Sequence, residues 1–120
     1  YDYEIKKERI SFNMMIQQIV KDYNHGVSTT TIASKFHNTI IDLTLNICVE
    51  IERKYKLSKV ILSGGTFQNA YLTETIENKL KERGIKVYSP NGVPVNDQGI
   101  ALGQLAIAAK KRELSKIQLI

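Results

Sequence analysis

The chain has 120 residues, 42% of them apolar and 24% charged, with a net charge of +5. That is enough for one domain or part of a larger one, with an apolar share ordinary for a soluble globular protein. No apolar run approaches the roughly 20 residues a membrane-spanning helix needs, no signal peptide is visible, and the lone Cys48 cannot form an internal disulfide and fits a reducing cytoplasm.

The sequence opens at Tyr1 rather than at a methionine, which reads as a fragment, a trimmed chain or one lacking its leader. Its basic residues are interspersed with acids, as in Lys79-Leu80-Lys81-Glu82-Arg83. The tightest basic cluster, Lys110-Lys111-Arg112, has no aromatics interleaved with it, so it reads as a solvated helix end and not as a nucleic-acid surface.

Residues 1–7 alternate Tyr1, Tyr3 and Ile5 with Asp2, Glu4 and Lys6, a period of two that predicts a short strand. From Ser11 the period lengthens. Phe12, Met15, Ile16, Ile19, Val20 and Tyr23 fall on one helical face, with Ser11 as N-cap and Asn24-His25-Gly26 as the stop. Residues 27–57 form the longest predicted element, a helix with Ser28, Thr29 and Thr30 as capping hydroxyls. Ile32, Phe36, Ile40, Leu43, Ile47 and Ile51 make one stripe, widened by Ile41, Leu45 and Cys48. So broad a face predicts a central helix packed on more than one neighbour.

Residues 60–63 then predict a strand, followed by a helix over 68–83 with Leu72, Ile76 and Leu80 in register and Gly84 at its end. Ile85, Val87 and Tyr88 predict a second strand, and a strand–helix–strand unit of this kind is parallel and right-handed. Residues 89–94 hold two prolines and a glycine, so they read as a loop that delivers Asn96, Asp97, Gln98 and Gly99. From Gln98 the chain turns helical again, and Gly99, Gly103 and Ala106 would let this helix approach a neighbouring backbone closely.

Chemistry concentrates at residues 60–69, VILSGGTFQN. Glycine lacks a Cβ and lets another molecule come close to the backbone, while a helix start presents N–H groups to an anion. Ser63, Gly64 and Gly65 therefore read either as a nucleotide or phosphoryl cradle or as a tight turn with no ligand. Asn69 could bond a ligand or cap the helix beside it, and Asp97 could bind a metal or cap the last helix. His37 reads as a half-buried, hydrogen-bonded helix residue, because no second His or Cys stands at ligand spacing. His25 reads as a surface turn residue and Cys48 as core.

Two motifs carry a resemblance. LSGGTFQN at residues 62–69 and VPVNDQGIALGQ at residues 93–104 together resemble the C-terminal end of the HypF family, carbamoyltransferases of nickel–iron hydrogenase maturation. The helix and strand between the motifs match too, as do the Asp22 to Gly26 turn and the run IASKFHNTI at residues 32–40. The resemblance covers essentially the whole chain. It implies an α/β fold: one lobe of the two-lobed architecture shared by actin, sugar kinases and heat-shock chaperones, with a short mixed sheet and packed helices. Residues 1–120 would form a single partial domain, the C-terminal lobe of a carbamoyltransferase domain similar to the threonylcarbamoyl transferases of transfer RNA.

The resemblance further implies that Ser63, Gly64, Gly65 and Asn69 face ATP or a carbamoyl adenylate. Asp97 would contribute to a divalent metal site, zinc or iron, whose partner histidines are absent from this chain. The full-length protein would use carbamoyl phosphate and ATP to carbamoylate the C-terminal cysteine of HypE in the cytoplasm. The chain departs from the family pattern at Thr66, usually valine, and at Gln98, usually glycine. Its acylphosphatase, zinc-finger and adenylate-forming domains and its His-x-x-x-His pair are not in this sequence, so the isolated chain is expected to be inactive. Two other readings stand beside this one: the nucleotide-binding lobe of a threonylcarbamoyl transferase-like protein, and a self-associating module without catalysis.

Overall fold

The computed structural model describes residues 1–7, 9–89 and 96–117. In chain order these form strands β1 (Glu4–Lys6) and β2 (Arg9–Ser11), helices α1 (Asn13–Asn24) and α2 (Thr29–Tyr55), and strand β3 (Lys59–Ile61). A 3₁₀ turn at Gly65–Gln68, helix α3 (Ala70–Glu82), strand β4 (Lys86–Tyr88), a second 3₁₀ turn at Asp97–Gly99 and helix α4 (Ile100–Ile117) follow.

α2 spans 27 residues, about 40 Å of helix. Ser28 caps it as the sequence predicts, its Oγ accepting from the Thr31 N–H at 3.2 Å. As expected of a central helix, α2 packs on both α1 and α3. Its partner α3 places Leu72, Ile76 and Leu80 at four-residue intervals, one above the other on a single face. That face meets Ile41 and Leu45 of α2 and closes over Leu62 and Ile85 to make the core, in which Leu80 is 0% exposed. Ile40, Cys48, Val49, Val60, Phe67 and Val87 pack around it. The core thus takes the residues that widen the α2 stripe. Phe36 and Ile51 of the stripe itself stay partly exposed, in open concavities that they share with Ile19 and Val20 of α1 and with Ile5 and Ile10 of the hairpin.

The end of α3 decides where β4 begins. Gly84 sits at φ +76, a conformation that side-chain-bearing residues rarely adopt. Its N–H donates to the Lys81 carbonyl at 2.9 Å, and the Ile85 N–H donates to the Leu80 carbonyl at 3.0 Å. This paired closure delivers Ile85 into the same cluster as Leu80. β4 then pairs with β3 in parallel, as predicted, in the register Val60↔Val87 and Ile61↔Tyr88. One face of this pair is core. The other, with Ile61 at 73% exposed and Tyr88 at 41%, is open.

The N-terminal segment departs from expectation. In place of one strand there are two, paired antiparallel with Glu4↔Ser11, Ile5↔Ile10 and Lys6↔Arg9. Ser11 ends β2 and Phe12 takes the position before α1 without a side-chain cap, yet the Ser11 Oγ still accepts a long hydrogen bond from the Asn13 N–H at 3.5 Å, so the predicted serine does reach the helix start. Half of the predicted apolar face of α1 is also exposed: Met15 is buried and Phe12 and Ile19 are half-buried, but Ile16, Val20 and Tyr23 are exposed.

What ties α1 to α2 is Asp22. Its Oδ2 accepts from the Tyr1 hydroxyl at 2.8 Å and from the Lys35 ammonium at 2.7 Å. Its backbone carbonyl takes the Val27 N–H at 3.0 Å, where the chain turns between the helices. The Lys35 hydrogen bond, then that of Tyr1, holds the Asp22 carboxyl below the usual carboxylate value, and partial desolvation opposes them. A lowered carboxylate pKa stabilises the fold above the unfolded-state value and loses that contribution as the pH falls through the folded one. Asp22→Asn should therefore lower the urea midpoint by a constant amount above about pH 5, and wild type and variant should converge as the pH drops below about 4, the ordinary aspartate range.

Candidate functional site

The diglycine turn is anchored at both ends and open in the middle. Leu62 is buried before it, and Phe67, packed against the core, follows it. Between them Ser63, Gly65 and Thr66 are exposed. Gly64 lies at φ +105, so the chain reverses there in a way that favours glycine. Gly65 has no positive φ, and a Cβ built on it would meet nothing within 4 Å. Nothing in this chain's own packing asks for glycine at position 65. The first bond of the 3₁₀ turn runs from the Phe67 N–H to the Gly64 carbonyl at 3.0 Å, so the N–H groups of Gly65 and Thr66 precede the bonded ladder.

The helix expected from residue 68 does not begin there. A four-residue 3₁₀ turn intervenes and α3 starts at Ala70. The dipole of α3 is thus displaced from the glycines, and Asn69 closes its N-terminus. Asn69 caps α3: its Oδ1 accepts from the Leu72 N–H at 3.2 Å. Its Nδ2 lies 3.0 Å from His37 Nε2, while His37 Nδ1 lies 2.7 Å from the Ala33 carbonyl. A carbonyl only accepts, so Nδ1 carries the hydrogen and Nε2 accepts from Asn69. His37 is therefore half-buried and hydrogen-bonded, as its place in the sequence predicts. Its partner was not predictable. The two residues are 32 apart, and no periodicity connects them. A second tie runs beside the first, with the Tyr71 hydroxyl donating to Asn38 Oδ1 at 2.9 Å.

Asp97 opens the second 3₁₀ turn, but the cap there is Asn96, whose Oδ1 accepts from the Gln98 N–H at 3.1 Å. The Asp97 side chain is exposed, with no hydrogen-bond or ion-pair partner among the described residues. No group of three His, Cys, Asp or Glu side chains gathers among the described residues. One carboxylate does not make a metal centre, so the residues present do not fit a metal on their own. The concavities lined by Ile5 and Ile51, by Ile19 and Phe36, by Ile61 and Tyr88, and by Tyr1 and Asp22 do not include Gly64, Gly65 or Asp97. Apart from Ser89, the predicted loop at 89–94 lies outside the described residues. Cys48 packs against the core as expected, and burial pushes its thiol pKa up. No described helix is long and apolar enough to cross a membrane.

Residues 1–104 match the family model described as the second subdomain of the carbamoyltransferase Kae1-like domain. The chain belongs to this family. It is similar to the carbamoyltransferase HypF of a Synechocystis species, 32% identical over 108 residues that span 90% of this chain and 13% of the relative. It also resembles a solved structure of full-length HypF in its phosphate- and nucleotide-bound form, with a TM-score of 0.85 and 42% identity over 92% of this chain and 15% of that one. A transfer-RNA N6-adenosine threonylcarbamoyltransferase of Clostridium botulinum is 24% identical over 67% of this chain and 24% of its own length. The chain thus spans well under a quarter of the HypF proteins it matches here, and the α/β fold implied by the two motifs is observed, though among the described residues with two separate two-stranded sheets, one antiparallel and one parallel, in place of a single mixed sheet.

The two glycines should respond oppositely to a methyl group. Gly64→Ala should lower the unfolding free energy by about 1–2 kcal/mol, because it forces a side chain into a positive-φ conformation. Gly65→Ala should be neutral or raise it by a few tenths to about 1 kcal/mol, by restricting the unfolded chain alone. Urea titrations of both variants check this.

Proposed function

We propose that this chain is the nucleotide-facing lobe of a HypF-type carbamoyltransferase. In this reading the full-length protein uses carbamoyl phosphate and ATP to carbamoylate the C-terminal cysteine of HypE during nickel–iron hydrogenase maturation in the cytoplasm. The observation that carries it is Gly65, a glycine that the fold does not require and that leaves the backbone of the turn open to an incoming group. The 42%-identical solved relative, described as phosphate- and nucleotide-bound, supports a nucleotide as that group.

Gly64 sets the reversal, Gly65 and Thr66 offer N–H donors to a phosphate oxygen, and Ser63 and Asn69 flank them. Donors of this kind would stabilise charge on a leaving phosphate during attack at a carbamoyl phosphate-type carbonyl. Asp97 would supply one carboxylate to a metal whose other donors lie outside this chain. A transfer-RNA threonylcarbamoylation reading is favoured by the Clostridium relative. Against it stands the Asn96-Asp97-Gln98-Gly99 sequence in place of a threonine–aspartate–asparagine form.

Calorimetry with ATP and ADP tests the site. Binding is expected, and Gly65→Val should abolish it while the chain still folds, since a Cβ at this position meets nothing within 4 Å. Unchanged binding by Gly65→Val would sink the assignment. Carbamoyl transfer to a HypE C-terminal cysteine should be measurable for the full-length protein and absent for the 120-residue chain. Transfer to adenosine in transfer RNA would favour the second reading.

A further inference from the structure

We propose that His37 is a positioning residue for the nucleotide site, acting through Asn69. The inference rests on the nucleotide reading above and extends the site to the central helix. Asn69 has two N–H donors and an oxygen with two lone pairs. The Leu72 N–H takes one lone pair and His37 Nε2 takes one N–H. One donor and one acceptor are left over, on an amide whose orientation is already fixed at both ends. An asparagine held only as a cap could pivot its whole amide plane about the single bond to the Leu72 N–H. This one cannot without breaking a bond to a half-buried imidazole.

The imidazole is itself immobilised from three sides. The Ala33 carbonyl holds Nδ1 at 2.7 Å. The rings of Phe36 and Tyr71 meet it edge-on, with centroids at 5.8 and 6.2 Å and interplanar angles of 85° and 78°. Phe36 and Ala33 belong to α2, and Tyr71 to the first turn of α3. The orientation of Asn69 is therefore referred to two helices that share the core, not to the exposed turn it terminates. Such support lowers the cost of ordering a polar group when a ligand arrives.

The test uses the full-length protein, with ADP as the probe. His37→Leu removes the acceptor, whereas His37→Gln keeps one at similar reach, and both remove the imidazole from between the two rings. Loss of one hydrogen bond's worth of preorganisation predicts ADP binding weakened about five- to tenfold in His37→Leu, within about twofold of wild type in His37→Gln, and no worse in His37→Leu with Asn69→Ala than in Asn69→Ala alone. A helix–helix tie without a part in binding would instead shift the melting temperature of both variants alike and leave ADP affinity where it was. Equal binding by wild type and His37→Leu, or equal weakening in His37→Leu and His37→Gln, overturns the proposal. If wild type binds no ADP, or Gly65→Val binds it normally, the nucleotide reading falls and takes this inference with it. Wild-type binding with an indifferent His37→Leu removes the inference alone. Should His37→Leu not fold, nitrogen-15 spectra of wild type decide. ADP is expected to shift the Asn69 side-chain amide while His37 Nε2 remains an acceptor, and an unshifted amide overturns it.

Discussion

Helix α3 lies against the middle of α2 through three residues, Leu72, Ile76 and Leu80, and everything of interest in this chain takes its position from that contact. The three stand on successive turns and are essentially without solvent exposure. Burying each side chain contributes on the order of 2 kcal/mol. The same contact fixes both ends of α3. At the front, Asn69 is brought within reach of His37. At the back, the closure at Gly84 drops Ile85 into the core and starts β4 in register with β3. The diglycine turn hangs between β3 and the front of α3, so its position follows from the core although it contributes only Leu62 and Phe67 to it.

Much of this was legible in the amino-acid order, for physical reasons that can be named. The 72–76–80 spacing and the glycine at 84 left little freedom in α3. Ser28 stood where a helix of such length needs an acceptor for its first amides. The parallel pairing of β3 and β4 follows from a single helix joining two short apolar runs. What could not be read depends on contacts between distant residues or on competition for one residue. Ser11 reads as a cap, but the pairing of Ile5 with Ile10 makes it the end of a hairpin strand, one residue further from α1 than a cap stands, so its Oγ reaches the Asn13 N–H only at 3.5 Å. The apolar stripes of α1 and α2 report residue type and not how tightly a neighbour closes over it, so Val20, Phe36 and Ile51 look like core although they line open concavities. At the site, the glycines and Asn69 stand out by residue type, whereas the bond to His37 needed coordinates. The helix after the glycines was placed two residues early because the sequence does not distinguish a 3₁₀ turn from the first turn of an α-helix.

The last helix carries the same message. Gly99, Gly103 and Ala106 suit a close neighbour, yet all the residues of α4 from Ile100 to Leu114 are exposed, and a Cβ at Gly103 would meet nothing. Radius of gyration agrees: 19.0 Å, against about 14 Å for a compact chain of this length. A family whose matched proteins are several times longer gives these surfaces a context.

The uncovered side of the β3–β4 pair has its own consequence. Two parallel strands of three residues, showing Ile61 and Tyr88 to water, are an unusual thing to leave bare, since parallel sheets are ordinarily sheathed on both sides. Each strand also keeps one outer rim of backbone amides and carbonyls unengaged among the described residues. Such rims recruit further strands from other molecules. At high concentration a handful of peptide groups on this rim pulls copies of the chain together while its surplus of positive charge pushes them apart.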